Sequence, residues 1–284
     1  MRSLAFWLLL LWGLTWLFGG LGGGDGDEWQ DRRPRQERPG QDYVESHPRR
    51  GQVLPPPAMD DPEVMVQPEA RRGSSVGTAF AVHESGVWLT ARHVVHGCSE
   101  VGMRGRFGWS RVQVEWLHPR ADMAIVRTAG APTHLAFSAN DVHLEQTGYA
   151  FGFPQARPGA VYGHLLGRTR MRSPGLFTGS SMTLAWAEGG RGPEFEGSLG
   201  GISGGPLLDD QGRVIGVIVA EVPRRGRFET LAPEVIRAVA TRSNMLPAPA
   251  EPALSFAVEP RDFGRVGDEL RRQMSVALIG CKTS

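Results

Sequence analysis

Three short stretches carry side chains whose types belong together in one reaction. His93 sits in VWLTARHVVHGC, Asp122 in ADMAIVRT, and Ser203 among glycines in GGISGGP. A serine hydroxyl is a poor nucleophile until a neighbouring imidazole takes its proton. That imidazole works best when a carboxylate fixes its tautomer and stabilises the imidazolium. The glycines fit the same chemistry, because an oxyanion developing on an attacked carbonyl needs backbone N–H groups aimed at it, and a tight backbone path beside the serine supplies them. The N–H groups of Gly201 and Ser203 are the candidates for that oxyanion hole.

Chain order discriminates between the scaffolds that could hold such a set. Gly201-Ile202-Ser203-Gly204-Gly205 fits the nucleophile elbow of an α/β-hydrolase, in which the acid and the histidine follow the serine. All eight histidines precede Ser203, which excludes the elbow. A subtilisin-like order needs an aspartate before the histidine, and the only acids far enough upstream of His93 lie in a stretch rich in Pro and charge. The remaining order is His, Asp, Ser, at separations of 29 and 81 residues. The other histidines, His47, His83, His96, His118, His134, His143 and His164, lack metal-ligand spacing, so no metal and no cofactor is expected. His96 is the nearest competitor to His93, but about one turn away it would point elsewhere.

The elements that must hold these side chains read as short strands. SSVGTAFAV and VWLTA flank His83-Glu84-Ser85-Gly86, a hairpin signal, and VQVEWL, MAIVRT, TGYAFGF, MTLAWA and VIGVIVAEV follow with turn residues between them. Many short strands without intervening helices predict an all-β barrel or sandwich. Helical patterns come late: Pro233 to Arg242 with Pro at its first position, and a weaker one in DELRRQMSVAL near the C-terminus.

Around this region, 73–245, the composition changes. The apolar run Leu4 to Phe18 follows Met1-Arg2-Ser3 and precedes Gly-rich sequence and acids, so 1–23 reads as an export signal, either a cleaved signal peptide or a retained anchor. Arg2 before the run and acids after it orient the remainder outward, to a periplasmic or extracellular location. Residues 24–72 hold many charges and prolines with almost no periodic apolar positions, and read as a disordered linker. Residues 246–284 form a C-terminal tail, partly helical. A formal net charge of +1 with scattered basic residues gives no general attraction to nucleic acid, so none is expected as a partner. In an exported chain the even pair Cys98 and Cys281 invites a disulfide, the alternative being two buried thiols.

Thr90-Ala91-Arg92-His93-Val94-Val95, Asp122-Met123-Ala124-Ile125-Val126 and Gly201-Ile202-Ser203-Gly204-Gly205-Pro206-Leu207 resemble the motifs of chymotrypsin-fold serine proteases, nearest to bacterial trypsin-like and HtrA-type domains. The resemblance implies two packed six-stranded β-barrels with a short helix after the second, preceded here by the N-terminal hydrophobic helix and the linker. His93 and Asp122 would come from the first barrel and Ser203 from the second. It also implies an endopeptidase working through an acyl-enzyme on protein or peptide substrates, the alternative being a catalytically silent binding module on the same fold. The pocket for the side chain before the scissile bond would have Gly197 at its floor and Val219, Ala220 and Glu221 along one wall. With no acid at that floor a small or medium apolar side chain is expected, unless a one-residue slip puts Glu196 there. Two departures stand out. Ile202 occupies the position where digestive relatives carry the aspartate that pairs with a new N-terminus. The sequence beyond Pro233 is also too short for a PDZ domain.

Overall fold

The computed structural model describes residues 51–66, 74–192, 195–242 and 257–283. The signal or anchor at 1–23, the linker up to residue 50 and at 67–72, and the tail over 243–256 lie outside these residues. In chain order the first strands are β1 (Glu63–Met65), β2 (Ser75–His83), β3 (Val87–Thr90), β4 (Glu100–Gly105), β5 (Gly108–Arg111), β6 (Gln113–Leu117) and β7 (Ala124–Arg127). There follow β8 (Thr147–Gly152), β9 (Gly159–Arg172), β10 (Ser181–Gly192), β11 (Pro206–Leu208), β12 (Val214–Val222), β13 (Arg227–Leu231) and β14 (Val276–Lys282). The α-helices are α1 (Arg92–Val95), α2 (Pro233–Arg242) and α3 (Phe263–Arg272).

Two sheets account for all the strands, as the all-β expectation requires. In the second, the order β9-β10-β13-β12-β11-β8 closes because β8 pairs again with β9, giving a six-stranded ring with β1 added outside β9. The first runs β5-β4-β14-β2-β3-β7-β6. Its two edge strands, β5 and β6, are separated only by Val112, whose N–H donates to the Val101 carbonyl at 3.0 Å, so the sheet curls round on itself as a half-barrel.

The strand that completes this sheet comes from the far end of the chain. β14 lies antiparallel between β2 and β4, with Val276 opposite Phe80 and Cys281 opposite Val101. The helical pattern expected in DELRRQMSVAL therefore divides: α3 starts earlier, at Phe263, and stops at Arg272, Met274 turns the chain with φ 60°, and the remainder becomes strand. Val276–Ile279 is buried without alternation because it has a strand on either side, and the slot between those strands outweighs local helical preference. The expected disulfide joins Cys98 to Cys281, with Cα atoms 5.4 Å apart and a sequence separation of 183. It ties the end of β14 to the segment just after the His93 turn, and the chain-entropy model assigns a loop of that length about 5 kcal/mol.

One expectation is corrected here. Residues 51–66, read from composition as linker, lie along the second sheet. The N–H of Leu54 donates to Val142 O at 2.9 Å, β1 runs parallel to β9, and Arg170 N donates to Pro62 O at 2.8 Å. The segment is held by these main-chain bonds and by two isolated apolar side chains, Leu54 in the core and Val66 packed against it, too few and too far apart to leave a periodic signal.

A carboxyl is buried in the second barrel. Glu229 on β13 accepts a hydrogen bond from Thr169 Oγ1 at 2.6 Å, and Thr169 also bonds Thr183 across β9 and β10 at 2.7 Å. Burial raises the Glu229 pKa above its ordinary value of 4.5, outweighing the Thr169 bond and the attraction of Arg227. The unfolded chain ionises at the ordinary value while the folded chain keeps the proton, so this group costs stability as pH rises above 4.5, by about 1.4 kcal/mol per unit until the folded group also ionises. Glu229→Gln is expected to melt above the parent at pH 7 and to lose that advantage towards pH 4. Thermal melts across that range check it, and a pH-independent difference would contradict it.

Candidate active site

Strand register brings the first two residues together. β3 and β7 are antiparallel with Thr90 opposite Ala124, so the residues just after Thr90 lie beside those just before Ala124. α1 opens there with Arg92 and His93, its Val94 and Val95 buried in the barrel. The Asp122 carboxylate, 2% exposed, uses both oxygens on one residue: Oδ2 lies 2.6 Å from His93 Nδ1 and Oδ1 accepts the His93 backbone N–H at 2.8 Å. Ring and main chain are thus fixed together, with Nδ1 as donor and Nε2 as the basic nitrogen. His96 is exposed, on another side of the turn.

Ser203 arrives from the second barrel, in the turn that leads into β11. Its carbonyl accepts the N–H of Thr78, on β2 of the first sheet, at 2.9 Å. Gly204 makes so close an approach possible: it has φ 85°, and a Cβ there would sit 2.2 Å from Thr78 O and 2.4 Å from Thr90 Oγ1. His93, Asp122 and Ser203 all line one cleft of about 510 Å³. Among the described residues no hydrogen bond joins Ser203 Oγ to the His93 ring.

The peptide planes beside Ser203 are held by their carbonyls. Gln155 N donates to Gly200 O at 2.6 Å and Gly205 N to Ile202 O at 2.9 Å. A trans peptide points its N–H opposite its C=O, so the Gly201 and Ser203 N–H groups are directed away from these anchors. Neither has an acceptor among the described residues, and both residues line the cleft. Gly201 has φ 101°, and a Cβ there would meet Phe153 O at 2.5 Å. Two such N–H groups beside a serine have the donor chemistry that a developing oxyanion requires.

The family model for a trypsin-like peptidase domain matches residues 77–217, which contain all three residues. Residues 77–217 form a trypsin-like peptidase domain. The uncharacterized protein y4bJ of Sinorhizobium fredii (strain NBRC 101917 / NGR234) is 30% identical over 173 residues, 59% of this chain and 25% of y4bJ, so the chain spans about a quarter of that relative's length. Among solved structures, an inactive form of Rv3671c from M. tuberculosis H37Rv carrying Ser343Ala matches at 20% identity and TM-score 0.48, over 62% of this chain and 88% of its own. The HtrA-type protease AlgW with a decapeptide matches at 20% identity and TM-score 0.46, over 60% and 51%.

The expected specificity residues divide. Val219, Ala220 and Glu221 line the cleft with Ser203, whereas Gly197 lines an adjoining cavity of about 580 Å³. Glu221 and Ser198 line both, because the Glu221 carboxylate crosses from β12 to accept Ser198 Oγ–H and Leu199 N–H, each at 2.8 Å. Behind it Arg191 pairs with Glu188 and donates to Gly197 O, with its Nη2 3.8 Å from Glu221. Glu196, the alternative floor, is exposed and lines neither cavity. Ser198, Arg191, Gln155 and Thr78 escaped the sequence reading, since nothing in their local pattern marks them. Among the described residues no group of three or more His, Cys, Asp or Glu side chains could hold a metal ion.

Proposed function

We propose that this chain is an exported serine endopeptidase that cleaves proteins through His93, Asp122 and Ser203. The observation that carries it is the Asp122 carboxylate divided between the ring and backbone of His93, in the cleft that Ser203 lines. Ser203 Oγ attacks the scissile carbonyl carbon while His93 Nε2 takes its proton, and the Gly201 and Ser203 N–H groups receive the oxyanion. The tetrahedral species collapses to an acyl-enzyme, the leaving amine taking the proton from His93. A water activated by the same base then releases the acid and restores Ser203. The Gly201 and Ser203 N–H groups, without an acceptor among the described residues, favour the catalytic reading over a silent binding module. Treatment of the full chain with a fluorophosphonate tests this: a covalent adduct on Ser203, absent after denaturation, is expected, and unlabelled folded protein would favour the silent module.

Export rests on the Leu4 to Phe18 run, and 1–23 is the element that would hold the chain at a membrane if uncleaved. Among the described residues no helix is long and apolar enough to cross one.

The slot next to Ser203 fits a small side chain before the scissile bond, because the Glu221 bridge to Ser198 and Leu199 divides it from the cavity at Gly197. Glu221 is committed to these donors and to Arg191, so it is no free partner for a substrate Lys or Arg, whose buried charge would go unpaired. Peptide-library profiling is expected to show Ala, Ser or Val in that position, and Glu221→Gly to shift preference towards Leu or Phe by about 10-fold or more. Cleavage mainly after Arg or Lys by the parent would refute the divided slot.

A further inference from the structure

The side chain that joins the serine loop to the first barrel belongs to neither the triad nor the pocket. Thr78 and Thr90 are both 0% exposed. Thr78 Oγ1 donates to Gly201 O at 2.8 Å and accepts the Phe153 N–H at 3.1 Å. Its backbone N–H holds Ser203 O at 2.9 Å, and its own carbonyl accepts Thr90 Oγ1–H at 2.7 Å. Thr90 ends β3, directly before the turn that carries His93. A chain of two buried hydroxyls therefore runs from the His93 turn to the peptide between the two oxyanion donors.

We infer that Thr78 is a positioning residue for the oxyanion hole, registering the Gly201–Ser203 loop against the His93 turn; this rests on the protease reading above. The 201–202 peptide is fixed on one side by Thr78 at Gly201 O and on the other by the Ile202 N–H bond to Leu199 O, 2.9 Å. That peptide separates the planes carrying the Gly201 and Ser203 N–H groups, so its rotation tilts both donors. The same hydroxyl holds Phe153 N, and Phe153 begins the turn whose Gln155 N–H anchors Gly200 O. One hydroxyl thus holds the Gly201 carbonyl directly and, through Phe153, steadies the turn that anchors Gly200 O. Packing around the hydroxyl is tight, since a Cβ on Gly152 would lie 2.5 Å from Thr78 Oγ1.

Removing the hydroxyl while keeping the shape tests the inference. In the full chain, Thr78→Val leaves Gly201 O and Phe153 N without that partner, whereas Thr78→Ser retains the donor. With a fluorogenic peptide bearing Ala before the scissile bond, Thr78→Val is expected to lower kcat by about 10- to 100-fold with KM within about threefold of the parent, as when transition-state donors are misplaced rather than binding surface lost. Thr78→Ser is expected to restore most of kcat. Amide hydrogen exchange adds a readout independent of turnover: Ile202, Gly204 and Gly205 should exchange faster in Thr78→Val, but not in Thr78→Ser. Parent-like kcat and exchange in Thr78→Val would overturn the inference, as would equal losses in both variants with exchange raised across both barrels. If the parent itself hydrolyses nothing, the protease reading fails, and exchange at these three amides still decides what Thr78 holds.

Discussion

Ser203→Ala is expected to fold as the parent does and to hydrolyse peptides about 10⁶-fold more slowly in kcat, the scale seen when the nucleophile of such a triad is removed. The fold is indifferent to the hydroxyl because Ser203 is held by its main chain. Its carbonyl accepts Thr78 N–H, and its neighbours Gly204 and Gly205 donate to Ile218 O and Ile202 O. Binding should survive too, since Val219, Ala220 and the Glu221 bridge are untouched. What remains is the catalysis that the two N–H groups and substrate positioning give without a nucleophile, some 10³ to 10⁴ over the uncatalysed reaction. Initial rates on a fluorogenic peptide, with thermal melting to establish folding, provide the check. Turnover within tenfold of the parent in a folded Ser203→Ala chain would remove the assignment.

The parts of this site that were legible in the sequence are those whose chemistry requires a particular residue type. His93, Asp122 and Ser203 could be ordered, and competing scaffolds rejected, because no histidine follows Ser203. Gly201 and Gly204 were legible as a group, although only the structure gives their reasons, a backbone approach in one case to Phe153 O and in the other to Thr78 O. Thr78 was invisible, because a threonine in SVGTAFAV looks like any β-branched strand residue and its role comes from partners 75 and 123 residues away. The 14-residue β9 was missed for a local reason. Gly159, Gly163 and Gly167 break its apolar pattern, yet Gly163 is needed where a Cβ would lie 2.6 Å from Ala187 O. β14 was missed for the opposite reason, since the slot between β2 and β4 exists only once the rest of the first sheet has formed. Residues 51–66 and β14 mark the general limit: pairing made by main chain, or supplied by distant sequence, leaves no periodic signature to read.

Asp122→Asn is expected to fall in kcat by about 10⁴-fold with the site otherwise intact, which separates orientation of the base from mere packing. The reason lies in how the carboxylate is shared. Oδ1 accepts the His93 main-chain N–H, a donor that cannot change roles, so the asparagine oxygen must take that position to preserve the bond at 2.8 Å. The amide nitrogen is then forced to the place of Oδ2, 2.6 Å from Nδ1. An NH₂ there donates, so Nδ1 must become the acceptor and the ring proton moves to Nε2. The nitrogen that should receive the Ser203 proton then already carries one, and attack stalls although every heavy atom keeps its place. The alternative flip saves the ring tautomer but sets the amide NH₂ against the backbone N–H of His93, donor against donor in a site 2% exposed, and should displace α1. Steady-state kinetics with NMR of the imidazole nitrogens distinguishes these outcomes: a 10⁴-fold loss with the proton on Nε2 is the expected result. Loss of less than tenfold would mean that Asp122 anchors the His93 turn without controlling the base.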